Sequence, residues 1–301
     1  MSIDLAVVPV AGLGTRLLPL TKSQPKEMLA VGRKPVAQYV TEELANSGIR
    51  RLLFITGPGK ASIENHFDID GELIAYLRRT GREEELAELD FVHQEEMLYF
   101  YTRQRRQLGL GHAVLCAEPL VGDQAFVVAL GDSMIGRHAQ SDIVKRMIAA
   151  FERDKRPEEE RMVVAFEEVP REEVCRYGIA IPESSGQEFR LRGLIEKPSV
   201  EEAPSNLAVA ARYVFSPGIF RYLEATKPGR GGEIQLTDAM DAMIKAGATA
   251  IGIKLSAEEK RFDIGNFESY FESFLEFALA DERHGTALRK RAREILKEFG
   301  E

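Results

Sequence analysis

Only two cysteines, Cys116 and Cys175, occur in the 301 residues; they lie far apart and form no CxxC pair. That argues against a disulfide framework and against a thiolate zinc site, and both read as small buried hydrophobes. No window reaches the ~18 apolar residues that a membrane span needs. The opening MSIDLAVV has neither a basic segment nor a long apolar stretch, so a secretory leader is not indicated and the cytoplasm is the expected compartment. An excess of positive charge is missing too: 40 basic against 48 acidic residues give a formal charge of -8. Nucleic-acid proteins usually carry net or clustered positive charge, so general polyanion binding is disfavoured while a local phosphate site stays open. No repeat of fixed period and no low-complexity linker is present, and none of the 5 histidines forms HExxH or another close ligand pair.

What the chain does have is a series of short apolar runs: LAVVPV from Leu5, RLLFIT from Arg51, AFVVAL from Ala125, MVVAF from Met162 and AVAARYVF from Ala208. Such runs suit strands buried on both faces of a mostly parallel sheet covered by helices. Between the first two, PVAQYVTEELANSG offers Pro35 for a first helical turn, Val36, Tyr39, Val40 and Leu44 on one side, and Gly48 as a stop. A right-handed βαβ unit is the expectation. Later, the ESSGQ turn at 183–187 suggests a small additional β element. From Asn266 onward Phe271, Phe274, Leu275 and Ala278 are spaced for a helical face, followed by the basic tail LRKRAREILKE, which reads as a solvated surface. The acidic runs Glu83 to Glu85 and Glu158 to Glu160 read the same way. The expected architecture is α/β: a Rossmann-like mixed, mostly parallel sheet flanked by helices, with a small additional β element and C-terminal helices. One composite domain spans 1–301, with a nucleotide-binding half at about 1–135, a sugar-binding half at about 136–265 and a helical segment at about 266–301.

The first apolar run stops at VPVAGLGTR, where Gly12 and Gly14 can turn tightly and leave amide groups unobstructed by a Cβ. Converging amides make an anion nest, and Arg16 adds a forked cation suited to phosphate oxygens. Spacing removes two familiar nucleotide loops. The dinucleotide fingerprint G-x-G-x-x-G finds Leu17 where its third glycine belongs, and Thr56-Gly57 where a ribose-binding acid is wanted. A phosphate loop ending in Gly-Lys-Ser/Thr fails at Gly59-Lys60, which Ala61 follows. A plain structural turn is the competing reading of a bare GxG.

The longer segment VAGLGTRLLPLTKSQPKEML resembles the signature of the sugar-1-phosphate nucleotidyltransferases, G-x-G-T-R-x-x-P-x-T-x-x-x-P-K, most closely their uridylyl-transferring bacterial branch. Further matches follow in the family's order: Arg103-Gln104, GLGHAVLCA from Gly109, LGD ending at Asp132, YGI from Tyr177, EKP from Glu196, APSNLAVAARYVFS from Ala203, GEIQLTDA from Gly232 and FDIGNF from Phe262. They cover almost the whole chain. The resemblance implies transfer of a uridylyl group from UTP to glucose-1-phosphate with Mg2+, giving UDP-glucose and pyrophosphate. Both reactants are anions, so such an enzyme mainly holds them in line and neutralises charge.

Residue by residue, the resemblance places the nucleotide at Ala11, Gly12, Gly14 and Thr15, with Gln104 reading the uracil edge and Gly109 allowing close approach. Arg16 and Lys26 would neutralise the triphosphate, and Lys197 the sugar's phosphate. Glu196 and Gly178 would hold the hexose, and Asp132 and Asp263 the metal. Thr237 reads instead as a helix N-cap, and His112 as a residue ordering its loop. The partners implied are the two small substrates, no nucleic acid, no membrane, and further copies of the chain in a homodimer or homotetramer.

Three differences set the chain apart from the family. Gly131 stands where the uridylyltransferases read proline before the aspartate, and Phe267 where they carry a lysine, so a cation near the phosphates is expected to be missing. MLYFY at Met97 to Tyr101 is an unusual aromatic patch, read as packing under a loop or at a subunit contact. These leave alternatives open: dTTP as donor, galactose-1-phosphate or an N-acetylhexosamine-1-phosphate as acceptor, or a weakly catalytic regulator that binds a nucleotide sugar.

Overall fold

The computed structural model describes residues 3–89, 97–137, 140–153 and 160–300. Each apolar run becomes a strand, and the elements follow in order: β1 (Leu5–Pro9), β2 (Ala30–Val31), β3 (Lys34–Pro35), α1 (Val36–Asn46), β4 (Arg51–Thr56), α2 (Ala61–Phe67), α3 (Gly71–Thr80), α4 (Glu83–Ala87) and β5 (Leu98–Arg103). Then come α5 (Leu110–Leu115), α6 (Glu118–Val121), β6 (Phe126–Ala129), β7 (Ser133–Ile135), α7 (Ile143–Arg153), β8 (Arg161–Glu168), β9 (Gly178–Pro182), β10 (Glu188–Glu196) and β11 (Leu207–Phe215). The chain closes with α8 (Ile219–Ala225), α9 (Leu236–Lys245), β12 (Thr249–Lys254), β13 (Arg261–Asp263), α10 (Phe267–Ala280) and α11 (Gly285–Glu298).

One 9-stranded sheet runs in the order β5-β4-β1-β6-β11-β8-β12-β10-β9. β1 pairs in parallel with β4, Leu5 opposite Arg51, as the βαβ expectation requires. The parallel character belongs to the β5-β4-β1-β6 part and to β8-β12, whereas β11 and β10 run antiparallel to their neighbours. The ESSGQ turn joins β9 to β10, and this hairpin is not a separate element, because β10 also pairs with β12 and so extends the main sheet. The sheet is continuous from the first half of the chain into the second.

Successive residues of the central strands face opposite core layers, which is why β1 and β6 are apolar at every position. Val8, Phe54, Val127 and Val163 pack with Val40 and Leu44 of α1 and with Val144 and Met147 of α7. Val7, Ile55, Val128 and Phe166 pack with Val114 of α5, Phe220 of α8 and Met240 of α9.

Several surface expectations change. Cys116 is half-buried and Cys175 exposed, because in the tight turn Arg171–Arg176 it is Val174 that faces inward. On α10 the face of Phe271, Phe274 and Leu275 is exposed, while Ser273 and Phe277 are buried. Phe277 turns inward because Tyr39 and Phe262 receive its ring edge-on, at 5.1 and 5.0 Å between centroids. Within MLYFY, strand alternation divides the patch: Tyr99 and Tyr101 stack on Phe54 at 6.4 and 5.6 Å, and Leu98 and Phe100 face solvent at the sheet's edge. Glu83 to Glu85 are exposed in the first turn of α4, whereas Glu158 and Glu159 lie outside the described residues. Among the described residues no helix is long and apolar enough to cross a membrane.

Candidate active site

Strands β1, β4, β5 and β6 run parallel, so their carboxyl ends emerge on one side, where open α/β sheets place ligands. A cleft of about 1330 Å³ opens there, and every candidate site residue named from the sequence lines it.

The segment after β1 is shaped by Gly14, which sits in the left-handed region at φ 67. Its carbonyl accepts from Thr21 Oγ1 at 2.7 Å, which fastens the loop. Gly12 differs, since a Cβ there would meet only Lys26 at 3.6 Å, an ordinary contact. Gly109, at φ 94, is demanded by the protein: a Cβ would lie 2.7 Å from Glu233 Cβ and 2.9 Å from the Ile234 carbonyl. Between these glycines, Gln104 is buried, and its amide NH2 donates to the Gly109 carbonyl at 3.0 Å and lies 2.9 Å from His112 Nδ1. Burial keeps the His112 pKa below the usual histidine range, consistent with a neutral ring accepting there. Gln104 Oε1 is then the end left for something in the cleft. His112 orders the loop through Gln104.

Within the cleft Lys26 Nζ donates to Asp132 Oδ2. Burial alone would lower the Lys26 pKa, but Asp132, then Glu27 and Asp263, hold it above the ordinary lysine range, so it is an ammonium at any physiological pH. Burial pushes the Asp132 carboxyl up, and Lys26 more than offsets this and keeps it below the usual range. Glu27, buried beside them, is paired with Lys60 at 2.8 Å. The antiparallel pair β7–β13 places Asp263 opposite Ser133, and Ile264 N–H donates to the Asp132 carbonyl at 3.3 Å. Burial and then the charge of Asp132 raise the Asp263 pKa. Two carboxylates pushed together in this way suit a divalent cation. Among the described residues no cluster of three or more His, Cys, Asp or Glu forms, so such a cation would draw its other ligands from phosphate oxygens and water, as magnesium does.

In the same cleft Lys197 Nζ lies 2.9 Å from Glu196 Oε1. Lys197 is held at φ 47, a conformation costly for any residue but glycine, by its N–H donating to the Tyr177 carbonyl at 2.9 Å. Thr237 is not the cap of α9, which begins after Gln235; its hydroxyl donates to Glu196 Oε2 at 2.8 Å and aims that carboxylate. Gly178 faces both: a Cβ there would come within 3.0 Å of Thr237 Oγ1 and 3.3 Å of Glu196 Oε2.

Sequence reasoning missed Arg261. Its guanidinium stacks 4.7 Å over the Tyr177 ring, donates to Glu167 Oε1 at 2.5 Å and reaches Asp263 Oδ2 at 3.3 Å. The two departures also resolve into packing. A Cβ at Gly131 would lie 2.5 Å from Val10 Cγ1, so with valine beneath it this position admits no side chain. Phe267 turns away from the cleft and packs on Phe271, 5.6 Å between centroids; the cations that face the cleft come from other elements.

Cations facing paired carboxylates across a glycine-lined floor are the equipment of an enzyme that handles phosphate esters. The chain belongs to the nucleotidyl transferase family, whose model matches residues 5–278. It is 38% identical over 296 residues to the UTP–glucose-1-phosphate uridylyltransferase of Haemophilus influenzae, covering 97% of this chain and 99% of that one. Among solved structures it is similar to UTP-bound UGPase from Acinetobacter baumannii, with a TM-score of 0.87, 36% identity and coverage of 97% and 99% of the two chains. It is also similar to a UDP-glucose pyrophosphorylase complexed with UDP-glucose, with a TM-score of 0.82, 36% identity and coverage of 93% and 100%.

Proposed function

We propose that the protein transfers the uridylyl group of UTP to glucose-1-phosphate, forming UDP-glucose and pyrophosphate. The observation that carries this reading is the set of groups brought to one cleft: the amide-ordered Gln104, the cations with their paired carboxylates, and the Glu196–Lys197 pair. The Gln104 carbonyl is free to accept the ring N–H of uracil. Gly12, where the protein alone would tolerate a Cβ, is glycine because a base and ribose come close to bare backbone.

The phosphate oxygen of glucose-1-phosphate attacks the α-phosphorus of UTP, a new P–O bond forms, and the bond to the bridging oxygen breaks, its electron pair leaving with pyrophosphate. The nucleophile is already ionised, so no general base is needed. Arg16 and Lys26 neutralise the triphosphate and the leaving group, and charge-assisted contacts of this kind are about twice as strong as neutral ones. Lys197 meets the phosphate of the sugar, while Glu196, aimed by Thr237, accepts from neighbouring hexose hydroxyls. Asp132 and Asp263 would hold Mg2+, which when bound supplies charge neutralisation on phosphate oxygens. The cytoplasm remains the compartment that fits these substrates.

Pyrophosphate release, measured with UTP and dTTP against glucose-1-phosphate, galactose-1-phosphate and N-acetylglucosamine-1-phosphate, tests the reading. Turnover confined to another pair would sink it, and UDP-glucose binding without any release would favour a regulator. Gln104→Ala is expected to raise KM for UTP about tenfold with a smaller change in kcat, because a buried hydrogen bond is lost in the bound state; initial rates check this.

A homodimer or homotetramer is proposed through the C-terminal helices. Their exposed Phe271 and Leu275 on α10 and Leu288 and Leu296 on α11 offer a second copy apolar surface. Sedimentation velocity is expected to give a species of at least two copies, and a monomer at micromolar concentration would refute it.

A further inference from the structure

Arg212 interrupts β11, a strand buried along its whole length, and is itself completely buried, as is Glu43 of α1, which faces it. Arg212 Nε donates to Glu43 Oε1 at 3.0 Å and NH2 to Oε2 at 2.6 Å, a forked pair. The same guanidinium also donates to two main-chain carbonyls: NH1 to Ala211 at 3.0 Å and NH2 to Ser133 at 2.9 Å. Ser133 follows Asp132 directly. Ala211 lines the cleft and sits at φ 59, in the left-handed region that alanine rarely adopts. It lies in an irregularity of β11, where the register with β8 shifts between Val209 and Tyr213; such bulges re-aim chain beside sites.

A buried ion pair is weak evidence for stability, since apolar residues of similar volume can often replace one at no cost. What an apolar pair cannot do is hold two carbonyls of different strands at fixed positions. We propose that Arg212, oriented by Glu43, is a positioning residue: it holds the strained Ala211 turn and the Asp132–Ser133 corner in the geometry the reaction needs. The proposal rests on the cleft being the site of nucleotidyl transfer.

Arg212→Lys tests it. Lysine keeps the charge for Glu43 but offers a compact point of donation rather than a planar fork, and cannot reach Glu43 and both carbonyls together. The expected result is a cooperatively folding protein with kcat lowered about tenfold or more, KM for UTP changed less than kcat, and Mn2+ bound more weakly by electron paramagnetic resonance. Ala211→Gly placed in the same background is expected to restore part of kcat, because glycine takes the positive φ without being held there. Unchanged kcat and Mn2+ affinity in folded Arg212→Lys would overturn the proposal. Should that variant not fold, the pair Glu43→Leu with Arg212→Met decides: folded with low kcat supports the positioning role, and folded with full kcat refutes it. Failure of the unaltered protein to turn over any substrate pair would refute the functional reading instead, whereas an active unaltered protein with an indifferent Arg212 refutes only the positioning role.

Discussion

Asp132→Asn is expected to lower kcat at least about a hundredfold, the scale of losing one electrostatic group aimed at developing charge, while the circular dichroism spectrum and thermal midpoint stay close to those of the unaltered protein. Asparagine has the same shape and still offers an oxygen to Lys26, which keeps Glu27 and Asp263 as neighbouring charges. The fold therefore loses little. On the proposed reading the reaction loses one of two carboxylates, Asp132, whose neighbour Ser133 pairs with Asp263 across β7–β13, leaving a single charged ligand for a divalent cation where magnesium accepts one or two. With Asp132 neutral, the Asp263 carboxyl loses a repelling neighbour that pushes its pKa up. Near-normal pyrophosphate release at saturating magnesium would show that Asp132 is not a metal ligand.

Gly109→Ala is expected to damage both stability and binding. Alanine at φ 94 is strained, and its Cβ would strike Glu233 Cβ and the Ile234 carbonyl. These contacts cannot relax cheaply, because Gly111 N–H donates to the Ile234 carbonyl at 2.9 Å and Ile234 N–H to the Leu108 carbonyl at 2.7 Å. Strain and overpacking together cost roughly 2–5 kcal/mol, a fall in thermal midpoint of about 5–15 °C for a chain of this size. The same displacement moves the carbonyl that anchors the Gln104 amide, so KM for UTP is expected to rise about tenfold. Differential scanning calorimetry and initial rates check the two arms. A midpoint within about 2 °C of the unaltered protein would show that the 233–234 segment yields without cost.

The parts of the site that were legible from sequence are those written in local chemistry. AGLGTR drew attention because glycine without a Cβ and arginine with a fork suit phosphate, although a plain structural turn competed with that reading, and Asp132 because it follows a fully apolar strand. The resemblance then extended the site to Gln104, Glu196, Lys197 and Asp263, and all of them line one cleft. Thr237 was misread for a physical reason: a threonine near the start of a helix is a good cap, and only the approach of β10 shows Glu196 2.8 Å away. Arg261 looked like one more charged residue until Tyr177 and Glu167 were seen to close around it. On α10 the periodicity pointed to the face of Phe271, Phe274 and Leu275, which is exposed, and the position of Tyr39 and Phe262 drew Phe277 inward instead.

Read alone, the amino-acid sequence determined the alternation of buried strands and helices and the glycine-arginine loop after the first strand, because hydrophobic period, missing side chains and charge type act over a few neighbouring residues; the kind of enzyme came from the resemblance of motifs spread along the chain. Only the tertiary structure decided where the antiparallel strands enter the sheet, why Gly131 and Gly109 must be glycine, and that Arg212 and Glu43 meet. Those depend on what lies across the fold: Val10 beneath Gly131, Ile234 against Gly109, and a partner 169 residues away for a charge that would otherwise be buried alone.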